Sequence, residues 1–282
     1  MALLGAVGKQ VEQPPDTDSR VRTTITRSGR RLLRPSDPSV SVVIPAKNEG
    51  DNIAWVLSRL PSCVTEVIVV DGQSEDRTAA IVRSARPGAK VIEHGNSGKG
   101  NAIATGLLAA RGDVVVMLDA DGSMDPVEIP LYVDALCIGA DLVKGSRTIA
   151  GGGSQDLSFV RKVGNRALRL SSNLAYRQSW SDLCYGYAAF WKDSLDQLGL
   201  VELCAPRPER KASTLWRGPW YGHGFEIEAL LYCRAARAHL RIVEVFSHEY
   251  KRRSGESHLA TWRDGGRVMF AILKELRWQP RR

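Results

Sequence analysis

The chain has 282 residues, 43% hydrophobic and 25% charged, the proportions of a soluble globular protein with one large core or two small ones. Its formal net charge is +8, but residues 1–38 hold seven Lys/Arg against four Asp/Glu and residues 250–282 nine against three, so the middle is close to neutral. Basic charge gathered at the two ends, with no reading helix on a folded face, argues against a nucleic-acid partner and fits an anionic membrane surface or a phosphorylated acceptor. No apolar stretch approaches the roughly 20 residues that cross a bilayer, and the N-terminus lacks the basic start and apolar block of a signal peptide. The expectation is a cytoplasmic protein, in peripheral contact with the inner face of the membrane. Five scattered cysteines (Cys63, Cys137, Cys184, Cys204, Cys233) without a C-x-x-C pair indicate buried thiols rather than a zinc site or disulfide framework.

Residues 1–38 are rich in Pro, Asp, Ser, Thr and Arg with no apolar period, and read as a mobile tail. From Val40 the pattern changes. Strands are predicted over 41–45, 66–71, 90–93 and 113–119, alternating with helices over 52–60, 77–85 and 99–110. Continuous β-branched runs between helices imply an α/β fold, a mostly parallel sheet covered on both faces. Ligands of such sheets lie beyond the carboxyl ends of the strands. Three strand ends carry polar residues there: Lys47 to Glu49, Asp71 to Asp76, and Asp119 with Asp121. Further on, 141–145, 184–191 and 241–246 read as strands, 157–176 and 225–238 as helices, and 261–277 as an amphipathic basic helix.

Asp119-Ala-Asp121 places two carboxylates one residue apart in a turn, where they can share a hard divalent cation such as Mg²⁺ or Mn²⁺, or simply cap the following helix. Asp71 heads a turn in which Ser74 and Asp76 suit helix capping, while a ribose or base contact suits Asp71 itself. Gly95 to Gly100 lacks the spacing of a Walker phosphate loop, although Lys99 at a helix start suits an anionic nucleotide. Of Glu226 and Glu228, one is expected to face the cleft and the other solvent, with helix N-terminal acids as the alternative reading.

The runs SVVIPAKNE, VIVVDGQSEDRT, GKGNAIATGLLAARGD and VVVMLDADGSMDP resemble, in order and spacing, the family 2 glycosyltransferases of the GT-A (Rossmann-like) fold. Within them the chain looks most like the dolichyl- and polyprenyl-phosphate sugar synthases, over about residues 40–258. The resemblance implies a GT-A catalytic domain over 39–249, followed over 250–282 by an acceptor and diphosphate loop and a basic helix. It implies that Pro45, Ala46, Glu49 and Asp71 hold base and ribose, that Lys99 lies near the nucleotide, and that Asp119 and Asp121 bind metal and diphosphate. The family's Gln two residues after the second Asp is Ser123 here, a weaker ligand. Lys144-Gly-Ser-Arg147 resembles the element whose Arg approaches the acceptor phosphate, with Arg161 and Asn165 as further acceptor-side candidates. Asp182-Leu-Cys-Tyr-Gly-Tyr187 resembles the loop under the donor sugar, followed by Ala-Ala-Phe190 where relatives carry Phe-Arg. Tyr250 to His258 resembles a loop in which Arg252, Ser257 and His258 contact diphosphate or acceptor, with His258 replacing Lys.

The implied reaction is a metal-dependent, inverting transfer of a hexose from a nucleotide-sugar of the GDP-mannose or UDP-glucose type to a polyprenyl phosphate. A lipid phosphate needs no base; a soluble hydroxyl acceptor would, and Asp182 is then the candidate. A non-catalytic nucleotide-binding protein is the other alternative, and a nucleotidyltransferase is disfavoured by the lack of a G-x-G-T-R-like loop.

Overall fold

The structure, a computed structural model, describes residues 21–25, 31–95, 98–200, 221–256 and 260–280. In chain order the elements are β1 (Val21–Ile25), β2 (Arg31–Pro35), β3 (Val40–Ala46), α1 (Gly50–Ser58), β4 (Val64–Asp71), α2 (Thr78–Ala85), β5 (Lys90–Glu93), α3 (Lys99–Ala109) and β6 (Val114–Met117). Then follow α4 (Ile129–Cys137), β7 (Leu142–Ser146), β8 (Gly153–Ser154), α5 (Phe159–Tyr176), β9 (Ala188–Trp191), α6 (Lys192–Leu195), α7 (Ile227–Arg237), β10 (Ile242–Phe246), β11 (His248–Glu249) and α8 (Thr261–Glu275).

Seven strands form the central sheet in the order β10-β7-β9-β6-β3-β4-β5. Every neighbouring pair is parallel except those made by β9, which runs antiparallel to β6 and β7. The expected α/β class with a mostly parallel sheet is what the chain adopts. The apolar runs are continuous because alternate side chains enter two different cores. Val43 packs with Ile103 and Leu107 of α3 and Leu230 of α7, whereas Val42 and Ile44 pack with Ile53 and Val56 of α1 and Val133 of α4.

The C-terminal helix belongs to the first of these cores through Val268 and Ile272. It is tied to α7 by Arg234, which donates to Glu275 at 2.9 Å, and to α5 by the Tyr176 hydroxyl, which donates to the Ile272 carbonyl at 2.7 Å. Within the segment read as a tail, β1 and β2 pair antiparallel. Arg34, 3% exposed, bonds Asp141 at 2.7 Å and Asp193 at 3.0 Å. Strand pairing and a buried ion pair need no apolar period, which is why composition did not announce them. Among the described residues no helix is long and apolar enough to cross a membrane. Cys233 is buried and Cys63, Cys137 and Cys184 half-buried, all as free thiols; Cys204 lies outside the described residues.

Candidate active site

A cleft of about 680 Å³ opens at the carboxyl ends of the parallel strands. Its floor comes from the tips of β3 and β6. Pro45 and Ala46 line it directly, and Gly72 joins them, its N–H donating to the Ala46 carbonyl at 2.8 Å. Strand β6 stops at Met117, so Asp119 and Asp121 lie in the turn beyond it rather than within the strand. The Asp121 carboxylate accepts from the Ser123 backbone N–H at 2.9 Å, and an Arg252 nitrogen lies 3.9 Å away. Ser123 thus helps shape the turn through its main chain.

Lys99 joins two of the acids. Its ammonium lies 2.9 Å from Asp119 and 2.9 Å from Glu228. Burial works against that ammonium, but the charges of Asp119 and Glu228 outweigh it and raise its pKa. Burial pushes the Asp119 carboxyl above the ordinary carboxylate range; Lys99 pulls it back, and the nearby Asp121 and Glu228 charges push it up again. Lys99 opens α3 because the chain there backs directly on its neighbour: the Gly100 N–H donates to the His223 carbonyl at 2.8 Å, and a Cβ on Gly100 would collide with the Gly222 carbonyl. Glu228 has a similar neighbour, since a Cβ on Gly186 would stand 2.5 Å from its Oε1.

On the far wall Arg147 spends all its donors. Nε and Nη2 reach the two oxygens of Asp182 at 2.6 and 2.9 Å, Nη1 reaches both oxygens of Glu249 at 3.0 and 3.1 Å, and Nη2 also reaches the Cys184 carbonyl at 2.8 Å. Asn165 donates to Asp182 at 2.9 Å. Asp182 is 0% exposed. Burial by itself would raise its pKa, but the Arg147 hydrogen bonds and charge prevail and hold it at about 2. Beneath, the buried Lys144 bonds the Asp182 carbonyl and lies 3.0 Å from Glu244.

The candidates therefore separate. Pro45, Ala46, Glu49, Lys99, Asp119, Asp121, Arg147, Arg161, Asn165 and Arg252 all line the cleft. Glu49 is held by Arg252 at 2.8 Å and by the Asn52 amide at 2.6 Å, which joins the first strand tip to the loop after β11. Arg161 pairs with Asp156 at 3.1 Å. Asp71 and Asp182 do not line it. Asp71 is buried and accepts the Ser74 hydroxyl, leaving Gly72 as the cleft surface there. Asp182, the candidate base, lies behind Arg147 with both oxygens occupied, so it has neither the access nor the basicity to take a proton from an acceptor. Ser257 and His258 lie outside the described residues. Of the two helix-start acids, Glu228 does face the cleft. Glu226 does not face solvent: it is 1% exposed and bonds Arg267 at 2.9 Å, because α8 covers it. Sequence reasoning missed Glu249 and Arg263, both cleft residues. Glu249 immediately precedes the basic loop and was a readable signal; Arg263 was hidden among the helix's other cations.

The lining holds seven carboxylates (Glu49, Asp119, Asp121, Asp156, Glu228, Glu249, Asp264) against six lysines and arginines. Among the described residues no three His, Cys, Asp or Glu side chains converge as a complete metal site. Asp119 and Asp121 nevertheless supply two hard oxygen ligands, and their mutual repulsion fits a cation held jointly with a ligand's own oxygens.

A mostly parallel sheet with one antiparallel strand, covered by helices on both faces, is the GT-A architecture of the glycosyltransferases. The chain belongs to glycosyl transferase family 2, whose profile matches residues 41–199, and the protein is a glycosyltransferase. An uncharacterized glycosyltransferase of Mycobacterium bovis is 32% identical over 222 residues, covering 79% of this chain and 90% of that protein. The undecaprenyl-phosphate mannosyltransferase of Micrococcus luteus is 32% identical over 248 residues, 85% of this chain and 93% of that one. In fold the chain resembles glucosyl-3-phosphoglycerate synthase of Mycobacterium tuberculosis, crystallised with Mn²⁺, UDP and glucosyl-3-phosphoglycerate. That likeness has a TM-score of 0.60 at 22% identity, over 85% of this chain and 80% of that one.

Proposed function

We propose that the protein transfers a hexose from a nucleotide-sugar of the GDP-mannose or UDP-glucose type to a polyprenyl phosphate, with inversion and with Mg²⁺ or Mn²⁺. The observation that carries the acceptor class is the state of Asp182. The carboxylate best placed in sequence to deprotonate a hydroxyl is sealed behind Arg147 and held at about pKa 2. A nucleophile that arrives ionised has no need of it. A phosphomonoester, with a second pKa near 6, is such a nucleophile at neutral pH. The name of the Micrococcus luteus relative supports the same class.

In this reaction an acceptor phosphate oxygen bonds to the anomeric carbon from the side opposite the leaving group. The carbon–oxygen bond to the diphosphate breaks, and its electron pair departs with the nucleoside diphosphate. When bound, a divalent ion supplies Lewis-acid stabilisation of that leaving charge. The donor set fits such an ion, because seven lining carboxylates already outnumber the six lysines and arginines before a diphosphate adds its own negative charge. Lys99 fixes Asp119 in place, and Arg252 braces Asp121 and Glu49 together. Arg147, with its donors occupied, acts as the rigid wall behind the sugar. Arg161 and Arg263, each paired with one carboxylate among the described residues, are the cations that reach for the acceptor phosphate.

The test is nucleoside diphosphate release from GDP- and UDP-sugars with Mg²⁺ or Mn²⁺, with and without a short-chain polyprenyl phosphate. Release that depends on the lipid phosphate is expected. Turnover with a neutral saccharide acceptor and none with the lipid phosphate would overturn the reading.

A further inference from the structure

Two helices at the mouth of the cleft carry apolar stripes that stand exposed among the described residues. On α5, Phe159, Val163, Leu170 and Leu174 recur at helical spacing on one face, and all are exposed, Phe159 at 80% and Leu174 at 85%. On α8, Trp262 is 85% exposed and Leu273 is exposed on the same side of the helix. The two helices pack on each other, so the stripes belong to neighbouring surfaces of one body. Scattered apolar residues need no explanation, but two adjacent stripes do.

The exposed charges on the two helices themselves have one sign, although Asp156 just before α5 pairs with Arg161. Helix α5 carries Arg161, Lys162, Arg166 and Arg169 and no acidic residue. Helix α8 has two acids, and both are buried: Asp264 accepts from the Ala260 N–H, and Glu275 is clasped by Arg234. The exposed charges of α8 and of the turn after it are Arg263, Lys274 and Arg277. An outer surface of only apolar and basic side chains is complementary to an anionic bilayer interface, where the stripe enters the acyl boundary and the cations meet headgroups. The inner faces of the same helices, through Asn165, Leu168 and Val268, line the cleft.

We infer that α5 and α8 together form the surface by which the enzyme lies on an anionic membrane, with the cleft mouth held against the headgroup layer. The inference deepens the polyprenyl-phosphate reading, since an acceptor whose chain stays in the bilayer can then present its phosphate without leaving it. Vesicle binding needs neither donor nor acceptor, so its failure is distinct from failure of that reading.

The experiment is co-sedimentation of the full chain with phosphatidylcholine vesicles with and without phosphatidylglycerol, together with Trp emission on titration with each. Binding about tenfold tighter to the anionic vesicles is expected, with a blue-shifted emission that L174S/W262S loses. The charge reversal K162E/R166E, which leaves the stripes intact, is expected to abolish the anionic preference. Nucleotide binding should stay unchanged in both variants, since none of these residues lines the cleft. Three results would overturn the inference: equal weak binding to both vesicle types, variants that bind like wild type, or vesicle-free sedimentation velocity showing that the stripes drive self-association instead.

Discussion

Arg147, buried, and Lys99, half-buried, are cations that hold two acids apiece, yet the two groupings differ in what they leave free. Around Arg147 every strong acceptor is consumed, and Asp182 is its counter-ion rather than a group with chemistry of its own. Asp182→Asn should therefore cost stability first, about 3 kcal/mol, because the buried Arg147 guanidinium keeps Glu249 but loses the more deeply buried of its two carboxylate partners. The pH dependence has a definite sign. The folded-state pKa of about 2 lies below the unfolded value near 3.9, so the contribution is complete above about pH 4 and is lost as pH falls towards 2. Denaturant melts at a series of acid pH values check this: the wild type should lose stability over that window and the Asn variant should lose less. Around Lys99 the acids remain in the cleft. Asp121→Ala is expected to weaken Mn²⁺-supported nucleotide binding about 100-fold while lowering the melting temperature only modestly, since the carboxylate's structural contacts are one turn hydrogen bond from the Ser123 N–H and a loose 3.9 Å approach of Arg252. Calorimetric titration with UDP and GDP decides it, and an unaltered affinity would remove Asp121 from the site.

Elements set the reach of these groups. Because β6 ends at Met117, its acids emerge in a turn that Ser123 closes. Because α3 begins against the 222–224 segment, Lys99 is delivered to Asp119 rather than to solvent. The loop before β9 contributes through an absence of side chain. Gly186→Ala would drive a methyl against Glu228 Oε1, so Glu228 must leave Lys99 or the loop must move. Overpacking of this kind costs about 1–3 kcal/mol. The expected reading is a lower kcat/KM for the donor with a modest loss of stability; an unchanged kcat/KM would show that Glu228 has no part in holding Lys99. At the other end of the sheet, Arg34 pins β2 to Asp141 and Asp193. Removing it in Arg34→Ala leaves Asp141, which is 3% exposed, without its charge partner, at a cost of about 3–5 kcal/mol by urea denaturation. A change below about 0.5 kcal/mol would mean that the hairpin is not part of the cooperative fold.

The molecule as a whole separates its charges. Acids gather at the strand tips, and basic residues gather on the outward faces of α5 and α8, so the net charge of +8 describes neither region. A cleft with more carboxylates than lysines and arginines should bind a nucleoside diphosphate poorly until a divalent cation joins it. Chelation with EDTA is accordingly expected to abolish nucleoside diphosphate release, and added Mn²⁺ or Mg²⁺ to restore it. Turnover that survives exhaustive chelation would mean that Lys99 and the arginines balance the leaving charge unaided.

Much of the fold was readable because the physics of a buried parallel sheet is local. Strands covered on both sides must be apolar along their middle, and 42–46, 67–70 and 114–117 are visible as such runs. Their polar tips were equally visible, since polar groups gather where a sheet ends and a ligand begins. Partnership was not readable, because it joins residues far apart in the chain. Nothing local says that Asp182 will be spent on Arg147, or that Glu228 will meet Lys99, 129 positions away. Nor does the period of α5 reveal its outward stripe. An amphipathic helix has the same pattern whether its apolar side is buried or bare, and only the packing of α8 and α7 against the other face decides which of the two it is.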